Sequence, residues 1–161
     1  MKGLRLIIIS LILSGMLLSC SWYKSESENQ SLKLPQEFRL QENTLGLIYY
    51  FDGDCSLCFH RINNFKEALI SKSELRGLYF KGIGITSNVD LFNFNMNKFD
   101  LSDYIILDSE DKFFRDNVDI AILNNTYLIN ESGEIIEQFD SHIDFEELIE
   151  SISKEIKALD Y

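Results

Sequence analysis

The stretch that decides the fold is Leu45-Gly46-Leu47-Ile48-Tyr49-Tyr50-Phe51-Asp52-Gly53-Asp54-Cys55-Ser56-Leu57-Cys58. It begins with a near-continuous apolar run of strand length, the pattern of a strand that is covered on both faces. The Asp-Gly-Asp that follows is typical of a turn. Apolar residues then recur at helical spacing, which predicts a helix from Ser56 to Ser73. Its apolar side carries Cys58, Ile62, Phe65 and Leu69, whereas Arg61, Lys66 and Glu67 face away.

Strand and helix signals alternate through the rest of the chain. The patterns predict strands at residues 38–40, 78–86, 104–107, 126–129 and 134–139, and helical segments at residues 91–99, 108–117 and 145–159. Gly133 suits the positive φ of a hairpin loop between the last two strands. Asp144 and Glu147 resemble a capping pair for the closing helix. Because helices cross over between strands, we expect an α/β fold with a central sheet and helices on both faces.

The N-terminus has the features of an export signal. Lys2 and Arg5 precede an apolar run at residues 6–18, which is shorter than the ~20 residues of a membrane helix. Leu17-Leu18-Ser19-Cys20 resembles the lipobox of bacterial lipoproteins. This resemblance implies a signal peptide at residues 1–19 and lipidation of Cys20, which would anchor the exported protein to a bacterial membrane on the periplasmic side or at the cell surface. The alternatives are an ordinary cleaved signal and a retained anchor.

Composition separates a tether from a domain. Residues 20–36 are rich in Ser, Glu, Asn, Gln and Lys, and we interpret them as a flexible tether that carries the lipid, followed by one domain at residues 37–161. Without residues 1–19 the chain keeps 13 basic and 26 acidic side chains, a net charge of about −13. Such a surface argues against nucleic acid as a partner, because phosphate binding needs clusters of Lys and Arg.

Cys55 and Cys58 form an isolated pair once Cys20 is assigned to the lipid. A disulfide can persist in an oxidising compartment, but one that closes so small a loop adds little stability. The start of a helix stabilises a thiolate, so redox chemistry explains the pair better than packing does. We expect Cys55, at the turn, to be the more exposed and Cys58, on the apolar stripe, to be the more buried. Two small residues packed at a helix start are the alternative.

A buried strand, a turn, a Cys-x-x-Cys motif and a helix resemble the redox centre of thioredoxin-like proteins. Further matches are Ile106-Leu107-Asp108, Phe113-Phe114, residues 126–130, Gly133 and Ile135-Ile136. Over roughly residues 38–160 the chain is similar to the redoxin group of membrane-tethered thiol-disulfide oxidoreductases, which are related to the cytochrome-maturation reductases. The resemblance implies a thioredoxin-like fold with a mixed sheet and a C-terminal hairpin plus helix. It also implies Cys55 as nucleophile, Cys58 as resolving residue, protein disulfides or dithiols as partners, and no cofactor besides the Cys55–Cys58 disulfide.

Two departures from the family pattern concern the surroundings of the pair. The family carries a cis-proline just before the strand that begins at Thr126, whereas this chain has Asn124 or Asn125 there and its one proline is Pro35. A cis bond at a non-proline residue costs about 3 kcal/mol, so we expect a trans peptide. Asp52 and Asp54 flank the nucleophile, and their negative charge disfavours a thiolate. We therefore expect a centre that is slower or more reducing than in strongly oxidising relatives.

Metal and acid–base sites are weaker hypotheses. His60 is expected to face solvent in the first helical turn, and His142 is expected in a turn before the last helix. Two thiolates and an imidazole suit Cu(I). Copper-delivery relatives, however, have three residues between their cysteines rather than two, and they carry the His on an earlier loop. Asp108, Glu110 and Asp111 are interpreted as a solvated acidic turn, so we assign no metal site.

The resulting functional hypothesis is an extracytoplasmic, membrane-anchored thiol-disulfide oxidoreductase that acts on proteins through Cys55 and Cys58. A non-catalytic binding module with the same fold is the first alternative, and a copper carrier is the second.

Overall fold

The computed structural model describes residues 30–159, and the predicted signal peptide and Cys20 lie outside this range. The strands are β1 (Gly46–Asp52), β2 (Tyr79–Ile85), β3 (Ile105–Leu107), β4 (Thr126–Ile129) and β5 (Ile135–Phe139). The α-helices are α1 (Ser56–Ser71), α2 (Val89–Lys98), α3 (Lys112–Asp116) and α4 (Phe145–Leu159), and a short 3₁₀ helix (Ser73–Leu75) follows α1.

The strands form one mixed sheet in the order β3-β2-β1-β4-β5. β1 pairs in parallel with β2, from Gly46 opposite Tyr79 to Asp52 opposite Ile85, and antiparallel with β4. β3 is parallel to β2, and β5 is antiparallel to β4. Because β1 is the middle strand and is covered on both faces, its apolar run is buried, as the sequence predicted.

One face of the sheet, called the helical face below, is covered by α1, α2 and α4. The ring of Phe59 in α1 meets Phe51 of β1 edge-on at 5.4 Å and Phe92 of α2 at 5.3 Å. Phe65, two turns further along α1, meets Phe145 of α4 at 5.1 Å. Such edge-to-face aromatic contacts fix the position of α1, and therefore of the cysteines at its start.

Two glycines of β2 make room for these rings. A Cβ atom on Gly84 would lie 2.7 Å from ring carbons of both Phe51 and Phe92. A Cβ atom on Gly82 would lie 2.9 Å from the Cδ1 atom of Ile62. A strand glycine often marks such a close approach, and here it brings α1 and α2 down onto the sheet.

The other face of the sheet, called the opposite face below, is covered largely by irregular chain. Leu32 and Phe38 from the N-terminal segment, together with Phe113 of α3, pack on Ile48 and Tyr50 of β1. Helices therefore lie on both faces, as predicted, but the opposite face carries only the five-residue α3.

The predicted strand at residues 38–40 is wrong. Phe38 is buried because its ring meets Tyr79 edge-on at 5.0 Å, and its N–H bonds the carbonyl of Pro35 in a turn. The apolar signal at Phe38 and Leu40 thus came from packing on the sheet rather than from strand pairing.

The end of the predicted tether is part of the domain. Ser31 forms an antiparallel bridge with Glu134, and the Leu32 N–H donates to the Gly133 carbonyl at 2.8 Å. The Lys33 N–H donates to the Asn117 side chain at 2.7 Å. Residues 31–33, which we expected in the flexible tether, are therefore fixed to the domain by the buried Leu32 side chain and these hydrogen bonds.

The C-terminal hairpin and helix agree with their sequence signals. Gly133 has a φ of +83°, and the Asn130 side chain accepts the N–H groups of Ser132 and Glu134 across the loop. The carboxylate of Asp144 accepts the Glu146 N–H at 2.9 Å, which caps α4. Across residues 30–159, none of the helices combines the length and the apolar character that crossing a membrane needs.

Candidate functional site

The cysteine pair lies at the N-terminus of α1, just after the turn that follows β1. Cys55 is the N-cap of α1, and its N–H donates to the Asp52 carbonyl at 3.1 Å. Cys58 lies in the first turn, where its N–H donates to the Cys55 carbonyl at 3.0 Å. Both are free thiols; Cys55 is half-buried and Cys58 is 6 % exposed. The structure thus has the more exposed and the more buried thiol in the expected positions.

The surroundings of Cys58 favour the neutral thiol. Burial, with smaller contributions from Cys55 and the Asp52 carboxylate, raises the pKa of Cys58 to about 12. Its Sγ lies 3.6 Å from the Oδ1 atom of Asn124, which accepts the S–H. The Tyr49 hydroxyl acts in the opposite direction and lowers the pKa of Cys58. Cys58 is therefore a thiol that ionises only with help from its neighbours.

Asn124 is the residue of the β4 loop that contacts the pair. Its φ is +67°, its N–H donates to the Tyr50 carbonyl at 2.6 Å, and its Oδ1 also accepts the Asp52 N–H at 3.1 Å. Residues 30–159 contain no cis peptide bond, so the peptide at this position is trans, as expected. A left-handed asparagine here joins the β1 end, the β4 loop and Cys58.

Asn125 and Thr126 support the loop from behind. The Asn125 carbonyl accepts the Tyr50 N–H at 3.1 Å, and its side chain accepts the Ser141 N–H at 3.2 Å. Thr126 is buried in β4, and its hydroxyl has no hydrogen-bond partner among the described residues. Of the predicted supporting residues in this segment, Asn124 is therefore the one that the structure places against a cysteine.

Asp52 and Asp54 face different surroundings. The Asp54 carboxylate accepts the hydroxyls of Thr86 and Ser87 and the N–H groups of Ser87 and Asn88, and these hydrogen bonds lower the pKa of Asp54 to about 2. Asp52 accepts the Asp54 N–H at 2.9 Å, and its charge acts on Cys58. The expectation that both carboxylates act alike on the pair is therefore revised: Asp54 holds the β2–α2 loop.

Sequence reasoning missed Tyr49 and misplaced Arg61. Tyr49 was counted only as part of an apolar strand, yet its hydroxyl interacts with Cys58. Arg61 was expected to face away from the core, but its guanidinium lies over the Tyr49 ring, with Cζ 5.7 Å from the ring centroid. The helical spacing could have indicated this position, because Arg61 follows Cys58 by three residues and so lies on the same side of α1.

The remaining candidates lie apart from the pair or have structural roles. His60 is exposed with its ring edge-on to Phe99 at 4.6 Å, and His142 is exposed in a turn. Asp108 caps α3 by accepting the N–H groups of Lys112 and Phe113, so that helix begins later than predicted. Among the described residues, no three His, Cys, Asp or Glu side chains are grouped to hold a metal ion.

Exposed apolar side chains lie on the two segments that carry the site. Leu57, between the cysteines, is 75 % exposed, and Ile122 and Leu123, just before Asn124, are also exposed. Apolar side chains exposed together beside reactive groups are typical of surfaces that bind another protein.

The fold has many solved counterparts. No family model and no curated protein matches the sequence. StoA from Bacillus subtilis is 17 % identical with a TM-score of 0.51, and the match covers 68 % of this chain and 83 % of that protein. A thiol:disulfide interchange protein of the thioredoxin family from Chlorobium tepidum is 13 % identical with a TM-score of 0.53, covering 70 % and 80 %.

A third counterpart is the thioredoxin domain of a thiol-disulfide oxidoreductase from Bacteroides vulgatus, 12 % identical with a TM-score of 0.52 over 71 % of this chain and 81 % of that one. At such identities the likeness concerns the fold alone. The described domain therefore has the thioredoxin-like fold that the Cys55–Cys58 stretch indicated.

Proposed function

We propose that this protein is an extracytoplasmic, membrane-anchored thiol-disulfide oxidoreductase that exchanges disulfides with other proteins. The observation that carries the proposal is the arrangement of the two thiols: Cys55 is half-exposed at the N-terminus of α1, and Cys58 is buried one turn further on. A disulfide needed only for stability has no reason to expose one sulfur at a helix terminus.

The reaction follows from this arrangement. The Cys55 thiolate, stabilised by the N-terminus of α1, attacks one sulfur of a partner disulfide, and the other partner sulfur leaves as a thiolate. Cys58 then attacks the Sγ atom of Cys55, which forms the Cys55–Cys58 disulfide and releases the second partner thiol. The partner gains two electrons, the pair loses two, and the reverse sequence oxidises a partner dithiol.

The described residues around the pair support a protein as the partner. Leu57 and the exposed Ile122 and Leu123 can contact an extended chain, while Asn124 contacts the resolving thiol rather than blocking Cys55.

The membrane anchor is a separate part of the proposal and depends on Cys20. Acyl chains contribute ~0.8 kcal/mol per buried CH₂, so the lipidated Cys20 would hold the domain at a bilayer. Labelling of the full chain with a radioactive fatty acid tests this part: the label is expected on the native chain and not on Cys20→Ser.

Trapping of mixed disulfides tests the redox function. In the full chain, Cys58→Ser leaves Cys55 free to attack but unable to be resolved, so mixed disulfides with partner proteins should accumulate and disappear on reduction. Cys55→Ser is the matched control, because it keeps one buried thiol and should trap nothing. If neither variant traps a partner, the oxidoreductase proposal is wrong.

A binding module without redox activity is the second candidate, and Asn124 in place of the family's cis-proline favours it. Equilibration of the reduced domain in graded glutathione buffers distinguishes the two. A potential near −270 mV would support a reductase, and one near −120 mV an oxidant. A pair that fails to exchange at any ratio would favour the binding module.

A further inference from the structure

Tyr49, Cys58 and Arg61 line one shallow pocket on the helical face. Tyr49 is in β1, while Cys58 and Arg61 are on successive turns of α1. The buried thiol therefore has the Asn124 amide oxygen as a hydrogen-bond partner and shares a pocket with the Tyr49 phenol.

The guanidinium of Arg61 is partly buried, on a residue of intermediate exposure. Its Nε and Nη2 atoms are inaccessible to solvent and have no hydrogen-bond acceptor among the described residues. Its contact with the Tyr49 ring, 5.7 Å from Cζ to the centroid, offsets part of this cost as a cation–π interaction. A cation close to an ionisable thiol favours the negatively charged form of that thiol.

The Tyr49 ring contacts this cation, and its side chain borders the same pocket as the Cys58 sulfur. Burial raises the pKa of Tyr49 well above its ordinary value, so the hydroxyl remains a hydrogen-bond donor. Asn124 Oδ1 can only accept, so it stabilises the neutral Cys58 thiol. Tyr49 can donate, so it stabilises the thiolate. The groups that oppose this thiolate are Cys55 and Asp52.

We propose that Tyr49 is a further catalytic residue, whose hydroxyl donates a hydrogen bond to the Cys58 thiolate as it forms, and that Arg61 is a positioning residue that holds the Tyr49 ring in place. The inference rests on the proposed function only in assigning Cys58 as the resolving thiol. The thiol chemistry it predicts can be measured with a small disulfide, whether or not a protein partner exists.

The step concerned is resolution of the mixed disulfide. The Cys58 S–H loses its proton, its sulfur attacks Cys55 Sγ, the bond from Cys55 to the partner sulfur breaks, and the departing thiolate takes up one proton. Charge on Cys58 is greatest before the attack. The donor from Tyr49 therefore accelerates this step and leaves the preceding attack by Cys55 unaffected.

The experiment uses oxidised glutathione as the probe, with acid quenching and mass spectrometry to follow both steps. We expect Tyr49→Phe to slow release of glutathione from the mixed disulfide on the order of tenfold, with the rate of the first attack unchanged. Arg61→Met should slow the same step, and Arg61→Lys should restore part of the rate by keeping the cation.

Tyr50→Phe is the matched control. Tyr50 is the next residue of β1 and faces the opposite side of the sheet, where its hydroxyl is buried and has no hydrogen-bond partner within residues 30–159. Removing that hydroxyl should change neither step. Denaturant unfolding of each variant separates misfolding from a chemical effect.

Equal rates of resolution in native protein and Tyr49→Phe would overturn the inference, as would an equal slowing of both steps. If Tyr49→Phe releases glutathione at the native rate while Cys58→Ser still traps partner proteins, the inference about Tyr49 is wrong and the proposed function stands. If Tyr49→Phe slows glutathione release while Cys58→Ser traps no protein, the proposed function is wrong and the inference about Tyr49 stands.

Discussion

The two faces of the sheet are built in different ways. On the helical face, α1 and α2 meet β1 through the rings of Phe51, Phe59 and Phe92. On the opposite face, irregular segments are held by side chains that bond backbone groups, above all Asn117 and Tyr127. Helices satisfy their own backbone, so apolar contacts suffice to hold them, whereas an irregular segment leaves N–H and C=O groups that need partners.

This difference matters for the site because each face supplies one side of it. The helical face fixes α1 and with it Cys55 and Cys58. The opposite face fixes the chain from α3 to β4 and with it Asn124, since the Tyr127 hydroxyl bonds backbone groups of Ile120 and Ile122. The pair is thus held by packing on one side and by hydrogen bonds on the other.

The largest effect should come from removing a ring on the helical face. Phe59→Ala deletes a fully buried side chain between Phe51 and Phe92, and we expect a loss of about 3–5 kcal/mol in the free energy of unfolding. Denaturant unfolding measures it. Leu57→Ala, exposed in the same helix, is the control and should change stability by less than about 0.5 kcal/mol. Similar losses in both variants would contradict the account of this face.

The opposite face should be most sensitive at a polar residue. The Asn117 side chain accepts the Lys33 N–H and donates to the carbonyls of Lys33 and Phe113. Asn117→Ala should therefore cost about 2 kcal/mol, because part-buried backbone groups lose their partners. Asn93→Ala, at an exposed position of α2, is the control. An unchanged unfolding midpoint in Asn117→Ala would show that the opposite face does not depend on side-chain hydrogen bonds to the backbone.

A smaller effect is expected at the Tyr127 hydroxyl. It accepts the Ile122 N–H at 2.6 Å and donates to the Ile120 carbonyl at 3.2 Å. Tyr127→Phe keeps the ring and removes these bonds, so we expect a loss of about 1 kcal/mol. Faster hydrogen exchange at Ile122, with exchange in α1 unchanged, would place the loss on this face. Equal acceleration in α1 would show that the two faces do not respond independently.

The smallest effect is expected at Asp54, which ties the β2–α2 loop to the end of β1. Its pKa is lowered to about 2, so its contribution to stability is present above the ordinary carboxyl pKa and is lost as pH falls through about 2. Asp54→Asn should be less stable than the native protein at pH 7, and the difference should disappear by about pH 2. Denaturant unfolding across this range measures it, and a difference independent of pH would refute the role of the charge.

Sequence patterns predicted the features that depend on residues close together in the chain. β1, α1, the hairpin glycine and α4 followed from apolar spacing and turn residues, and so did the relative burial of Cys55 and Cys58. The patterns did not predict contacts between distant segments. Arg61 was assigned to solvent because a charged residue on a helix usually faces solvent. The end of the tether was assigned to flexible chain because Ser31, Leu32 and Lys33 are 84 to 103 residues from the groups that they bind.

The candidate site divides in the same way. The cysteine motif could be found in four consecutive residues of the sequence. The choice between Asn124 and Asn125 instead depended on which of them has a left-handed backbone, a conformation that either residue could adopt. The separate surroundings of Asp52 and Asp54 depended on where the β2–α2 loop returns to the sheet. No local signal carries that information.

The bridge between Ser31 and Glu134 has a consequence for the behaviour of the protein at high concentration. An uncovered outer strand offers its backbone to other molecules and can seed aggregation. β5 is one outer strand of this sheet, and the Gln30 carbonyl takes the Ile135 N–H at its first residue. β3, the other outer strand, is only three residues long. Residues 30–33 thus cover the start of β5 and hinder its pairing with a strand of another molecule. Deletion of these residues should promote such association.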